Sequence, residues 1–257
     1  MRAMWKGAVS FGLVSIAVKV HAATEEKTVR FRQVHRDDSG RISVRRFCDD
    51  CGDEVAYEDV AKGYELDDGR LVAISDEELA GLPLPTMRTI EVLRFVRTEE
   101  VDPILYNRTY FLEPDDIAVL PYTLLRDALR DSRRVAIAKV ALRQVERLAA
   151  IRVRDDMLLL HTMMWPDELR SPEFSFLDAP VTVPAPELAR TTSLIDAMTE
   201  RFDADDLRDE FRAALLALIE AKAGGAPVGE AATTEVTRDD AADPRGALQR
   251  GRVARTA

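Results

Sequence analysis

The chain has 257 residues, of which 46% are hydrophobic and 32% charged, with 12 glycines and 12 prolines. This composition excludes collagen-like, wholly disordered and membrane-embedded proteins. Two cysteines are too few for a disulfide scaffold and fit a reducing compartment, and a net charge of −10 argues against a protein that coats nucleic acid with its whole surface.

The first predicted element is a strand near the amino terminus. Apolar residues alternate with polar or small ones from Val14 to Val20, which is typical of a half-buried strand. The apolar run superficially resembles a signal peptide, but Ser10 and Gly12 interrupt it and Lys19 ends it, whereas a secretory core is continuously apolar. We therefore expect a cytoplasmic protein, and no apolar stretch predicts a membrane span.

Strand patterns continue through the first half of the chain. Residues 29–32 and 42–45 alternate apolar and basic residues on either side of a turn signal at 37–40, which predicts a hairpin. Ser75 followed by Glu78 predicts the start of a short helix. Further strands are predicted at residues 71–74 and 89–96, and a strand pair at 103–112.

The second half predicts a helix, a meander and two more helices. A helix at 122–130 precedes strands at 135–142, 147–153 and 157–164, whose short connections imply antiparallel pairing that could close into a barrel with the earlier strands. Amphipathic runs follow at 194–202 and 207–221, with Gly224 and Gly225 as a stop signal. Residues 226–257 lack periodicity, which predicts a disordered tail.

The charge of the chain is unevenly distributed. Residues 1–47 and 121–154 each carry a net charge of +6, whereas residues 48–120 and 155–225 carry −13 and −9. Arginine offers a forked donor that suits phosphate, so the two basic blocks predict a nucleic-acid surface within an acidic protein. The candidate DNA-binding residues are Arg30, Arg32, Arg36, Arg45, Arg46, Arg133, Arg134, Lys139, Arg143 and Arg147.

The sharpest local motif is Cys48-Asp49-Asp50-Cys51-Gly52. Two thiolates at this spacing supply half of a zinc ligand set, and no second pair exists, so zinc would need nearby histidines or a second copy of the chain. A tight turn with two half-buried thiols explains the motif as well. A thioredoxin-like role is disfavoured, because flanking aspartates raise the pKa of a thiol.

Nothing in the sequence has the pattern of a catalytic site. No nucleophile elbow, P-loop or dinucleotide-binding glycine motif occurs, so we expect no enzymatic activity, metal or cofactor. Two alternatives stay open: a zinc-dependent nucleic-acid-processing enzyme built around Cys48 and Cys51, and a pure protein-interaction scaffold that uses the two carboxy-terminal helices.

Several longer motifs occur in a fixed order along the chain: Trp5 to Val14, Gln33-Val34-His35, Cys48 to Gly52, Tyr57 to Glu65, Tyr110 to Pro114, Ala136 to Val140 and Glu210 to Leu216. These motifs and their order resemble those of the bacterial Ku family, the homodimeric DNA-end-binding proteins of non-homologous end joining. Two features differ from the family pattern: Ala17 stands where proline is usual, and the tail is short and charge-balanced rather than lysine-rich.

The resemblance implies a mainly β fold with flanking helices (α+β), in which a Ku-type β-barrel core dimerises into a ring that a DNA end threads. It implies a core with a DNA-encircling bridge at residues 1–187, a helical segment at 188–225 and a tail at 226–257. It also implies recruitment of the ATP-dependent DNA ligase D through the carboxy-terminal region, at the nucleoid. The contacts would be to phosphates, with the cations on the inner wall of the ring.

Overall fold

The computed structural model describes residues 1–82, 86, 88–143, 145–179 and 181–224. Its strands are β1 (Trp5–Phe11), β2 (Val14–Ala22), β3 (Lys62–Glu65), β4 (Leu71–Ile74), β5 (Thr89–Arg97), β6 (Tyr106–Pro114), β7 (Arg134–Leu142), β8 (Val145–Arg154) and β9 (Met157–Met163). Its α-helices are α1 (Asp76–Gly81), α2 (Val119–Ser132), α3 (Ala185–Met198) and α4 (Glu210–Ala223).

Seven of these strands form a closed barrel in the order β1-β2-β6-β9-β8-β7-β5. The meander of β7, β8 and β9 is antiparallel, as the short connections predict. The barrel closes where β1 and β5 pair in parallel, with Ala8 opposite Thr89 and Ser10 opposite Glu91. The barrel architecture that the sequence predicts is thus confirmed.

A glycine permits this closure. The amide of Ala8 donates to the carbonyl oxygen of Arg88 at 3.0 Å, which brings the Arg88 backbone against β1. A Cβ atom on Gly7 would lie 2.3 Å from that oxygen and 2.2 Å from the Trp5 ring. Only glycine therefore fits between the two chain segments.

The hydrophobic core lies inside the barrel, and α2 packs against it. Alternate residues of every barrel strand point inward, and Leu125 and Leu129 of α2 join their cluster. The Tyr122 hydroxyl donates to the carbonyl of Leu112 and accepts from the amide of Leu158, both at 2.8 Å. One buried hydroxyl thus connects α2 to both β6 and β9.

Strands β3 and β4 form a separate two-stranded ribbon, followed by α1. The predicted cap of α1 is confirmed: the Ser75 hydroxyl accepts from the Glu78 amide at 3.1 Å, and the Glu78 carboxylate accepts from the Ser75 amide at 2.8 Å. The predicted break between the last two helices is confirmed as well, since α3 ends at Met198 and α4 begins at Glu210.

Two predicted elements are wrong. Residues 29–32 and 42–45 are not strands. The turn between them forms, and among the described residues Val34 and Arg41 are its one pair with β-bridge hydrogen bonding. No sheet in the described part of the chain buries the alternating side chains, and Phe31 and Val44 are 71% and 80% exposed. Residues 103–112 form a 3-10 turn and one strand instead of a strand pair.

The chain divides into two compact units. One comprises Met1–Lys27 and Phe31–Thr192 and contains the whole barrel; the other comprises Thr28–Arg30 and the described residues from Ser193 onward. The predicted segment boundaries at 187 and 225 stay predictions, and the predicted tail at 226–257 lies outside the described residues. Within the described residues, no helix has the length and apolar character that a membrane crossing needs.

Candidate nucleic-acid interface

Strand β7 has predicted DNA-binding arginines at both of its ends. Arg133 follows α2 in the left-handed conformation, with φ of 52°, and Arg134 is the first residue of β7. Arg143, with φ of 53°, begins the turn after β7, and Arg147 lies on β8 opposite Val140. At about 3.3 Å per residue, the two ends of the strand are roughly 30 Å apart.

We call Arg133, Arg134, Arg143 and Arg147 the β7 arginines. All four are exposed. None of them forms an ion pair with any carboxylate in the part of the chain that the structure describes. Their guanidinium groups are therefore not held in ion pairs among the described residues and remain available to an anion.

Lys139, at the middle of β7, has a different environment. Its ammonium group lies 3.3 Å from the Glu146 carboxylate and 5.6 Å from the centre of the Trp165 ring. The other Glu146 oxygen accepts from the Thr86 hydroxyl at 2.9 Å. Of the predicted residues on the second basic block, Lys139 is thus the one whose charge is balanced within the fold.

A cleft of about 520 Å³ opens beside the carboxy-terminal end of α2. Arg133 and Arg134 line it together with Arg130 and Arg152, and Glu99 and Asp155 are its acidic lining residues. Arg130 and Arg152 are not among the predicted DNA-binding residues. The alternation of Arg152 and Arg154 with apolar residues on β8 could have identified Arg152, but nothing in the sequence places Arg130 beside it.

A buried histidine holds Arg152 in place. The Arg152 Nε atom donates to His161 Nε2 at 2.7 Å, so Nε2 is unprotonated and the Nδ1 hydrogen can be donated to the Thr109 hydroxyl at 3.0 Å. Burial, with the nearby Arg152 charge, lowers the pKa of His161 to about 4. His161 is therefore neutral at physiological pH.

The first basic block forms no comparable strand surface. Four of its predicted DNA-binding arginines belong to the barrel-containing unit, are exposed and lie in irregular backbone, whereas Arg30 belongs to the other unit. The structure thus does not assemble the predicted arginine hairpin. The four are Arg32, Arg36, Arg45 and Arg46.

Two of these arginines have partners within the fold. Arg45 pairs with Glu54 at 3.0 Å. The Arg46 guanidinium lies 5.1 Å from the centre of the Tyr57 ring, which leaves its charge unneutralised.

The Cys48 motif forms a tight loop rather than a complete metal site. No group of three or more histidine, cysteine, aspartate or glutamate side chains within the described ranges is placed to hold a metal ion. Contrary to the expectation from the flanking aspartates, the pKa of the Cys48 thiol is lowered, because the amides of Cys51 and Asp50 donate to its sulfur. The negative charge of Asp50 acts in the opposite direction and is the smaller effect.

The comparisons with known proteins identify the family. Residues 10–192 match the model of the Ku70/Ku80 beta-barrel domain. The chain belongs to the Ku family. The match covers the barrel from the end of β1 onward, together with the ribbon and the cysteine loop.

Curated relatives agree with this assignment. A Ku protein of Frankia casuarinae is 52% identical over 89% of this chain, and one of Saccharopolyspora erythraea is 46% identical over 97%. Both are described as non-homologous end joining proteins. The chain spans 58% of the length of the Frankia relative and 83% of the Saccharopolyspora relative.

Proposed function

We propose that this protein binds the ends of double-stranded DNA in non-homologous end joining, without reading the base sequence and without catalysing a reaction. Two copies would form a ring, and a DNA end would pass through it. Membership of the Ku family and the description of the relatives support this proposal. On the same grounds we infer that it acts at the nucleoid in the cytoplasm.

The observation that carries the proposal is the set of unpaired β7 arginines in a protein with a net charge of −10. Each guanidinium can bind a phosphate through two parallel hydrogen bonds. The roughly 30 Å between the two ends of β7 corresponds to about 18 phosphates of duplex DNA, both strands counted. Several contacts per copy are therefore possible, and phosphate contacts carry no sequence information.

The distribution of charge also explains a preference for ends. An acidic exterior repels the flanks of a duplex, so binding would be confined to the basic surface. If that surface lines a closed ring, DNA can enter only where the duplex stops. Selectivity for ends then follows from topology and needs no group that recognises the terminal nucleotide.

Gel shift with one plasmid in two forms tests this proposal. The protein should bind the linearised plasmid stably at moderate salt and bind the covalently closed circle little, although both present the same sequence. Light scattering should give about twice the 28.7 kDa chain mass. Equal binding to both forms, or a monomer that stays monomeric on DNA, would contradict the ring.

We further propose that the helical segment at residues 188–225 recruits the ATP-dependent DNA ligase D. The apolar side chains of α4 support this, because Phe211 is 78% exposed and Leu216 46% exposed, and exposed apolar side chains of a helix suit a groove on a partner. Replacing Phe211 and Leu216 with serine should abolish binding of the ligase in calorimetry and leave the gel shift unchanged. Unaltered ligase binding would refute this assignment.

A further inference from the structure

The loop between Phe47 and Glu54 holds two cysteines in a defined geometry. Those two residues form an antiparallel bridge. Inside the loop that this bridge closes, the Cys48 amide donates to the Asp53 carbonyl at 2.9 Å, and the Gly52 amide donates to the Cys48 carbonyl at 2.8 Å. Gly52 has φ of 76°, which glycine adopts without strain. The backbone around the two thiols is thus fixed by its own hydrogen bonds.

This loop directs three donors at one sulfur atom. The amides of Asp50 and Cys51 donate to the Cys48 sulfur, and the Cys51 thiol is also hydrogen-bonded to it. These donors favour the thiolate, which is the nucleophilic form of cysteine. Cys48 is half-buried and Cys51 is exposed, so a small solute can reach the pair.

The two cysteines therefore differ in role. Cys48 has the stabilised thiolate that attacks an oxidant, and Cys51 lies in contact with it, where a resolving thiol is needed. The hydrogen bond between the two side chains means that their sulfur atoms are already neighbours. The Gly52 amide that donates to the Cys48 carbonyl closes the turn between the two cysteines, which keeps both thiols on the same short loop.

We propose that Cys48 and Cys51 form a reversible disulfide when the protein meets a hydroperoxide. The Cys48 thiolate attacks one peroxide oxygen; the S–O bond forms, the O–O bond breaks, and the leaving hydroxide takes a proton to become water. The Cys51 thiol loses its proton and attacks the resulting sulfenic acid, so that the S–S bond forms, the S–O bond breaks and a second water leaves. Two thiols are oxidised and one hydrogen peroxide is reduced to two waters.

Peroxide treatment of the full-length protein, followed by alkylation and intact-mass measurement, tests this reaction. After peroxide treatment, neither cysteine of the wild type should react with the alkylating agent, and the intact mass should be lower by two hydrogen atoms. Dithiothreitol should restore both reactive thiols. Two single-cysteine variants show which thiol attacks the peroxide and which one resolves the sulfenic acid. Cys51→Ser should trap a dimedone adduct at Cys48, and Cys48→Ser should form at most a tenth as much adduct at Cys51 under the same dose.

Three results would overturn the proposal. The first is a wild type that keeps both thiols alkylatable at a peroxide dose that labels the Cys51→Ser variant. The second is a disulfide that joins two copies, seen on a non-reducing gel, instead of one within the chain. The third is equal dimedone labelling of the two variants, which would mean that the loop does not distinguish Cys48 from Cys51.

Discussion

Replacing Arg134 and Arg143 with glutamine should reduce the salt dependence of DNA binding and leave the free energy of unfolding nearly unchanged. One arginine lies at each end of β7, and both are exposed without a carboxylate partner among the described residues. Exposed side chains of this kind contribute within about 0.5 kcal/mol to the free energy of unfolding. The substitutions therefore remove charge from the proposed interface and little else.

The expected size of the effect follows from the number of β7 arginines. If each of the four neutralises one phosphate and two copies bind together, about eight phosphates are neutralised, and the slope of log K against log salt is about −7. Affinity then falls about 10⁴-fold between 50 and 200 mM salt. The double variant keeps about four such contacts, so its slope is about −3.6 and its affinity falls only about 10²-fold over the same range.

Fluorescence anisotropy with a short duplex, titrated at several salt concentrations, measures both slopes. The matched control is Lys62→Gln with Arg70→Gln, which removes the same charge from two exposed residues that pair with Asp76 at 2.8 Å and Asp68 at 2.7 Å. The control should keep the slope of the wild type. An unchanged slope in the β7 variant, or an equal decrease in both variants, would refute the reasoning that unpaired arginines carry the interface.

Two further predictions concern the barrel. Tyr122→Phe leaves the Leu112 carbonyl and the Leu158 amide without their buried partner, so urea denaturation should show a free energy of unfolding lower by about 2–4 kcal/mol. The control Tyr64→Phe, at an exposed residue, should leave the free energy of unfolding almost unchanged. Equal losses in the two variants would be inconsistent with a buried bridge at Tyr122. The pKa of His161 is about 4 in the folded protein and about 6.5 in the unfolded chain. The contribution of His161 to the free energy of unfolding is therefore fully present above about pH 6.5, and it is lost as the pH falls, because the unfolded chain takes up the proton first. This contributes about 2–3 kcal/mol of loss between pH 7 and about 4.5, which His161→Gln should remove; an acid profile unchanged by this variant would contradict the assigned pKa.

The sequence predicts most of the barrel, because each strand of the meander carries its own signal. Residues 135–142, 147–153 and 157–164 alternate or are continuously apolar with short turns between them, and the bounds of β7, β8 and β9 lie within two residues of these predictions. The closure by β1 and β5 has no such local signal, because the paired residues Ala8 and Thr89 are about 80 positions apart. A partner at that distance is chosen by the whole barrel, not by a local pattern.

The same distinction between local and distant information holds for the candidate site. Local charge density alone predicts the β7 arginines, whereas the fold is needed to show that Lys139 is neutralised by Glu146. The alternation at residues 29–32 was misleading, because alternation predicts a strand only where a sheet exists to bury one face.

Net charge is a weak guide to what an acidic protein can bind, and the pairing of its cations is a better one. Lys19 lies within 3.3 Å of two carboxylates, and Arg126 and Arg130 share Asp127 and Asp156. Acidic residues thus neutralise many cations of the barrel unit where they stand. The β7 arginines form no ion pair within the described chain, although Glu99 and Asp155 line the cleft beside Arg133 and Arg134. On the proposed function, a polyanion would be attracted to these four residues while the rest of the surface repels it. On the proposed function, this local imbalance, rather than a basic average, would let a chain with a net charge of −10 bind DNA at one defined place.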